Sequence, residues 1–360
     1  MSVLSAETRG AARVFMVPSP TNPYVQILAG CLGAEGVEVC TMPRRLSREW
    51  LEANLSERES ILHFHWPSYS YTATTRLETA DLVGAWLENL DLAQRLGYRV
   101  VWTAHNLYPH DCQYPDLQHQ ARVGLVKHCA AIIGHCRAAL GEVERAFGAT
   151  DAVTAVIPHG NYIGVYGDPW QIAAARDFLG LSSAIFIYLF FGRLRPYKGI
   201  EDLITAAGGS SMPGSEVLIA GHPASAAYGR QLLTAVGRHD NIHIHPFFIP
   251  DPEVPAYFGA ADVVVLPYQE VLSSGAAILA HSLGRPVIVP EVGCLPKMVP
   301  AGTGWLYDPH DKDGLRDAMR AALNSDTAKA AKPCLDFAAS FTWKDAAAAA
   351  HRVYARVMSR

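Results

Sequence analysis

The 360-residue sequence lacks several features, and each absence closes a class of function. It has no run of about 18 uninterrupted apolar residues, so no membrane-spanning helix is expected. The seven cysteines (Cys31, Cys40, Cys112, Cys129, Cys136, Cys294 and Cys334) include no CxxC pair. Neither a zinc site nor a disulfide framework is indicated, and a reduced, cytoplasmic setting is the expectation. An excess of one charge is missing as well: the formal net charge is -4, and no basic stripe is interleaved with aromatics. That removes the general electrostatic case for nucleic acid as a partner. No internal repeat occurs, and the only biased tract is the alanine run 346–350, which suits a helix. The first ten residues carry Glu7 and Arg9 and no apolar core, so no leader segment is expected there.

What is present is a chain that is 50% hydrophobic and long enough for two domains of ordinary size. Short apolar runs alternate with amphipathic ones, the pattern of βαβ units around parallel sheets. Strands are expected at 13–17, 37–41, 60–65, 99–103, 131–134 and 154–157, then at 184–191, 216–220, 242–245, 263–267 and 286–289. The alternation restarts after a Gly- and Pro-containing loop at 164–169. The reading is an α/β protein with an amino-terminal Rossmann-like domain, 1–165, and a second, 166–342, while a helix over 343–360 crosses back onto the first. Unusual residues collect just past the strands: Pro18–Pro23, His63–Pro67, Thr103–Asn106 and Ile157–Tyr162. In doubly wound folds that rim is where ligands bind.

Two stretches carry chemistry. The first runs from a charge-free strand into Gly192, Arg193, Leu194, Arg195, Pro196, Tyr197, Lys198 and Gly199. A planar guanidinium and a point-charge ammonium there suit a diphosphate whose charge grows as it leaves; the alternative is a capping loop with two solvated cations. The second stretch, 263–289, runs from a buried strand into Ser273, Ser274 and Gly275, which open a helix. Its unpaired amides and partial positive charge hold phosphate, or Ser274 is an ordinary N-cap. Two anion-ready turns in one domain favour the diphosphate.

These segments, with Ile219-Ala220-Gly221, Ala261-Asp262-Val263, Gly304 to Pro309 and Ile157 to Asn161, resemble the nucleotide-sugar glycosyltransferases of GT-B fold, specifically those like glycosyltransferase family 4. The resemblance implies two Rossmann-like domains facing across a cleft, with a nucleoside-diphosphate sugar as donor substrate. Arg193 and Lys198 would grip the diphosphate, and the amides of Ser274, Gly275 and Ala276 would complete that grip. Phe248 and Ile249 lie in the loop against which the base packs. His105 matches a histidine that faces the transferred sugar, and Asn22 lies in the phosphate-side loop of the first domain. His65, Asn106, His110 and Asp111 are assigned to the acceptor side. One departure stands out: of the two glutamates the family commonly places around this helix start, the first falls on Val271, one residue after Glu270, and the second on Leu279, which accepts no hydrogen bond. Glu270 is taken as the sugar-side carboxylate.

Transfer with retention is the preferred expectation, to a saccharide, lipid-linked saccharide or small-molecule hydroxyl. Inversion using His105 or Asp111 as base, nucleotide-sugar epimerisation, and a non-catalytic nucleotide-sugar-binding partner are the alternatives. Metal-independent activity without a cofactor is expected. The pairs His63/His65 and His243/His245 lack a third ligand at sensible spacing, and Asp313, near Asp311, lies at a helix start where capping explains it. Arg44, Arg45 and Arg48 with Leu46, Trp50 and Leu51 form a short basic amphipathic patch, read either as a solvated face or as peripheral contact with the inner face of a membrane.

Overall fold

The computed structural model describes residues 12–17, 23–109, 112–182, 185–208 and 212–359. It divides into two compact units, one reaching Pro158 and resuming at Trp343, the other spanning His159–Thr342. In the first unit the strands are β1 (Arg13–Met16), β2 (Glu38–Thr41), β3 (Ser60–Phe64), β4 (Arg99–Ala104), β5 (Cys129–Gly134) and β6 (Val153–Val156). Helices α1 (Pro23–Ala34), α2 (Arg48–Ala53), α3 (Arg76–Arg95), α4 (Pro115–His128) and α5 (Arg137–Phe147) connect them. The second unit holds α6 (Ile172–Phe178), β7 (Phe186–Phe191), α7 (Ile200–Ala207), β8 (Ser215–Ala220), α8 (Ala226–Val236) and β9 (Ile242–His245). It continues through α9 (Val254–Ala260), β10 (Val263–Val265), α10 (Gly275–Ser282), β11 (Val287–Pro290), β12 (Gly304–Tyr307), α11 (Gly314–Leu323) and α12 (Ala331–Ala339). The closing helix, α13 (Trp343–Met358), belongs to the first unit.

Each unit is built on one six-stranded parallel sheet, ordered β2-β1-β3-β4-β5-β6 and β12-β11-β10-β7-β8-β9. The central strands read as uninterrupted apolar runs because helices cover both faces: Ile187, Tyr188, Leu189 and Phe190 of β7 are all fully buried. In the first unit the core lies on two sides of the sheet. On one of them Ala347, Val353, Tyr354 and Val357 of α13 pack with Leu28 and Leu32 of α1. Helix starts follow local chemistry: Ser47, Thr75, Ser225 and Ser274 each accept the amide three residues on.

The structure departs from the sequence reading in particulars. β12 was not expected as a strand, because it is short and only half-buried; Gly304 permits it, since a Cβ there would stand 2.1 Å from the Val287 carbonyl oxygen. α12 was hidden by Pro333, which sits in the first turn, where the missing N–H costs nothing. Asp313 does not cap α11 through its side chain; its carboxylate takes Arg316 at 2.9 Å. The expected start of β7 at Ala184 lies outside the described residues.

Candidate functional site

The cationic turn after β7 is fixed by backbone crowding. Gly192 has φ +127° and donates its amide to Ala220 O, while Gly221 approaches so closely that a Cβ on it would lie 1.8 Å from Gly192 O. Buried Leu194 anchors the turn, donating to His222 O and accepting from Ala224 N. Gly199, at φ +66°, then opens α7, and a Cβ there would stand 1.9 Å from Pro267 O. The turn is thereby clamped between the ends of β8 and β10.

Lys198 folds back beneath this turn. Its Nζ would be 3.2 Å from a Cβ on Gly192, so that glycine leaves room for the ammonium. The charge lies 5.8 Å from the Phe190 ring centre and 5.5 Å from that of Tyr268. Loss of water, with Arg195 and Arg193 nearby, lowers its pKa to about 8. Arg193 itself is exposed. A cation desolvated among other cations is destabilised, and a bound phosphate would offset that penalty.

The second corner is the start of α10. Ser274 is buried and accepts the Ala277 amide at 3.1 Å. A Cβ on Gly275 would meet Tyr162 Oη at 3.5 Å and His159 Nε2 at 3.6 Å, ordinary contact distances, which places both side chains beside the helix start. Ser273 and Ala276 flank it, half-buried. Tyr268 joins the two corners: its ring lies under Lys198 and its hydroxyl is 3.5 Å from Ser274 Oγ. Gln269 ties the same loop to the turn, donating its amide to Tyr197 O at 2.8 Å and its side chain to Asp202 at 3.0 Å.

The remaining residues of this unit divide. Glu270 is exposed. Phe248 is 67% exposed, while the Ile249 side chain is in the core, leaving its backbone as the only group it can offer a ligand. Phe247 stacks on His245, whose Nδ1 is 2.8 Å from Tyr257 Oη. Leu279 packs in the core.

In the first unit, His65, His105 and His135 each stand one residue past a strand, on the adjacent strands β3, β4 and β5. His65 Nδ1 is 3.1 Å from His105 Nε2, His105 Nδ1 is 3.1 Å from His135 Nε2, and His135 Nδ1 is 2.9 Å from Ile157 O. Trp66 stacks on His105 at 4.7 Å, and Tyr24 meets it edge-on at 4.6 Å. Burial holds the His135 ring down to about 4 and His65 well below the ordinary range. Asn106 is half-buried beside them, whereas Asn22, His110 and Asp111 lie outside the described residues.

The remaining candidates are occupied locally. His63 bonds Tyr354 Oη and Thr103 Oγ1, both at 2.8 Å, and His243 bonds Glu216 at 3.0 Å. Arg44 bonds the Tyr69 carbonyl, Arg48 pairs with Glu52 at 3.2 Å, and Trp50 packs against Phe15. Among the described residues no helix is long and apolar enough to cross a membrane. Sequence reasoning missed Tyr268 and His135. The rim position at a strand end that drew attention to His65 and His105 also applies to His135, which follows the strand expected at 131–134.

Comparison with known proteins agrees with this architecture. Residues 186–325 match the family model described as Glycosyl transferases group 1. The GDP-mannose:glycolipid 4-beta-D-mannosyltransferase of Xanthomonas campestris pv. campestris is 28% identical over 309 residues, 84% of this chain and 81% of that protein. The D-inositol 3-phosphate glycosyltransferase of Mycolicibacterium smegmatis is 32% identical over 197 residues, 53% of this chain and 45% of its own length. Among solved structures, sucrose-phosphate synthase of Thermosynechococcus elongatus superposes with TM-score 0.74 at 19% identity, covering 97% of this chain and 99% of that one. Anabaena HepE in complex with UDP gives 0.71 at 16%, covering 96% and 100%. With the two parallel-sheet units, these matches give the chain the GT-B fold and make it a glycosyltransferase whose second unit matches the group 1 model.

Proposed function

We propose that this glycosyltransferase moves a sugar from a nucleoside-diphosphate sugar, bound by the second unit, to a hydroxyl of an acceptor bound by the first. The observation that carries the reading is the junction at Tyr268, which brings the Lys198 ammonium and the Ser274-capped helix start to one aromatic ring. Arg193, Lys198 and the amides of Ser274, Gly275 and Ala276 would stabilise the departing diphosphate. Asn22, Phe248, Ile249 and Ser273 are assigned to the donor, and Glu270 to its sugar. Because Leu279 is a core residue, the ribose contact falls to another group. His65, Asn106, His110 and Asp111 are assigned to the acceptor side. The glycolipid named for the Xanthomonas relative supports a lipid-linked saccharide as acceptor, with Arg45 and its neighbours touching the lipid surface; co-sedimentation with anionic vesicles tests that contact. The cations already present make the reaction metal-independent, and an excess of chelator should leave turnover unchanged.

Retention is the reading the site itself supports, since both nitrogens of His105 are engaged and neither is a vacant base. The β-linkage in the name of the Xanthomonas relative favours a second reading, inversion, with Asp111 as base. Incubation with a panel of UDP-, GDP- and ADP-sugars, with and without saccharide acceptors, tests transfer. Proton NMR of the product's anomeric centre separates the two stereochemical courses. Absence of nucleotide release from every donor would refute the assignment of the site.

A further inference from the structure

Four adjacent strands, β3 to β6, each present the residue just beyond their last position to a single row: His65, His105, His135 and Ile157. The row has a direction, because one of its ends cannot be reversed. The Ile157 carbonyl only accepts, so His135 Nδ1 must carry the hydrogen that spans 2.9 Å to it. A neutral His135 then offers a lone pair at Nε2, which takes the hydrogen on His105 Nδ1 across 3.1 Å. With His105 neutral like its neighbours, its Nε2 is left as a lone pair and accepts from His65 Nδ1–H, also across 3.1 Å. His65 Nε2 ends the row as a buried lone pair without a partner. The opposite arrangement would point a His135 lone pair at the Ile157 oxygen and break the row at its anchor. Burial keeps His65 and His135 neutral, and Tyr24 and Trp66 pack against His105 between them.

We propose that His135 and His65 are positioning residues that lock His105 in the Nδ1–H tautomer, keeping its Nε2 as a hydrogen-bond acceptor. A ligand group that replaces His65 at that nitrogen must be a donor: a sugar hydroxyl fits, and a carboxylate or carbonyl oxygen is repelled. His105 is then a recognition group for a hydroxyl. The kinetic part of this inference rests on the transferase reading above, while the tautomer itself does not.

Long-range proton–nitrogen NMR of the full chain labelled with 15N-histidine reads the tautomers directly, with peaks assigned by single His→Gln variants. The expected result is Nδ1–H for His65, His105 and His135 alike. His135→Leu removes the acceptor for His105 Nδ1–H, so the His105 and His65 signals should move toward Nε2–H. His135→Gln keeps an amide donor for Ile157 and an oxygen for His105, so it should preserve the wild-type pattern. In transfer assays His135→Leu should lower kcat roughly tenfold or more with nucleotide affinity unchanged, and His135→Gln should restore it. An Nε2–H signal for His105 in the wild-type protein overturns the proposal, as does an unchanged His105 tautomer in folded His135→Leu. If His135→Leu does not fold, the wild-type spectrum decides alone. The expected tautomers in a protein that consumes no nucleotide sugar would leave the row intact and count against the transferase reading instead.

Discussion

Acidification should unfold the first unit ahead of the second, and the reason is the burial of neutral histidines. Burial pushes the ring of His63 down to about 3 and those of His135 and His281 down to about 4. In the unfolded chain the same rings titrate near ~6.5. Between those limits the unfolded chain binds protons that the folded chain refuses. Their contribution is therefore intact above pH ~6.5 and is lost progressively as the pH falls toward the folded values. Going from pH 7.5 to 5.0 removes about 2 kcal/mol per ring, hence about 4 kcal/mol from the unit holding His63 and His135 and about 2 from the unit holding His281. His65, deeply buried, shifts in the same direction and adds to the first figure, while His245, only half-buried, adds a smaller share to the second. A typical domain has only ~5–15 kcal/mol to lose. The first unit holds Trp50, Trp66, Trp86, Trp102 and Trp343 of the seven tryptophans, so urea titrations followed by tryptophan fluorescence report mainly on it. Its midpoint should fall steeply below pH 6.5, and His63→Gln should flatten the slope by about 1.4 kcal/mol per pH unit. Equal midpoints at pH 5.0 and 7.5 would show that these rings charge freely in the folded protein and refute the reasoning.

Other perturbations address the donor unit. Lys198→Ala should abolish sugar transfer with little change in thermal stability; near-normal turnover would remove the diphosphate role. Since Lys198 has its pKa lowered to about 8, it loses its charge above that value, and nucleotide affinity measured by calorimetry should fall about fivefold between pH 8 and 9, with proton uptake on binding. Gly221→Ala would force a Cβ to within 1.8 Å of Gly192 O and should cost several kcal/mol, on the order of 3; a melting temperature within a degree of wild type would contradict the backbone contact. Ser274→Ala removes the cap on Ala277 and should destabilise by about 1 kcal/mol while weakening nucleotide binding, both measurable in one thermal-shift series.

Much of this protein was determined by its linear order of residues. Apolar runs such as Phe186–Phe191 and amphipathic ones such as Arg137–Phe147 specify their elements through local periodicity, and their alternation specifies parallel sheets. The turn at Arg193–Gly199 and the start of α10 were legible because strand, glycine, charge and helix follow one another within a few residues. Tertiary structure alone decided how these pieces combine. Tyr268 becomes the junction of the two corners only because β10 pairs beside β7 in the sheet; nothing adjacent in sequence marks it. Leu279, seen in the sequence only as a missing glutamate, turns out to be a core residue. His65, His105 and His135 are tens of residues apart, and their tautomers depend on a carbonyl contributed after a fourth strand. Local propensity acts over a few residues and can be read from one segment, whereas a hydrogen-bonded row across a sheet exists only once strand order has set which ends are neighbours.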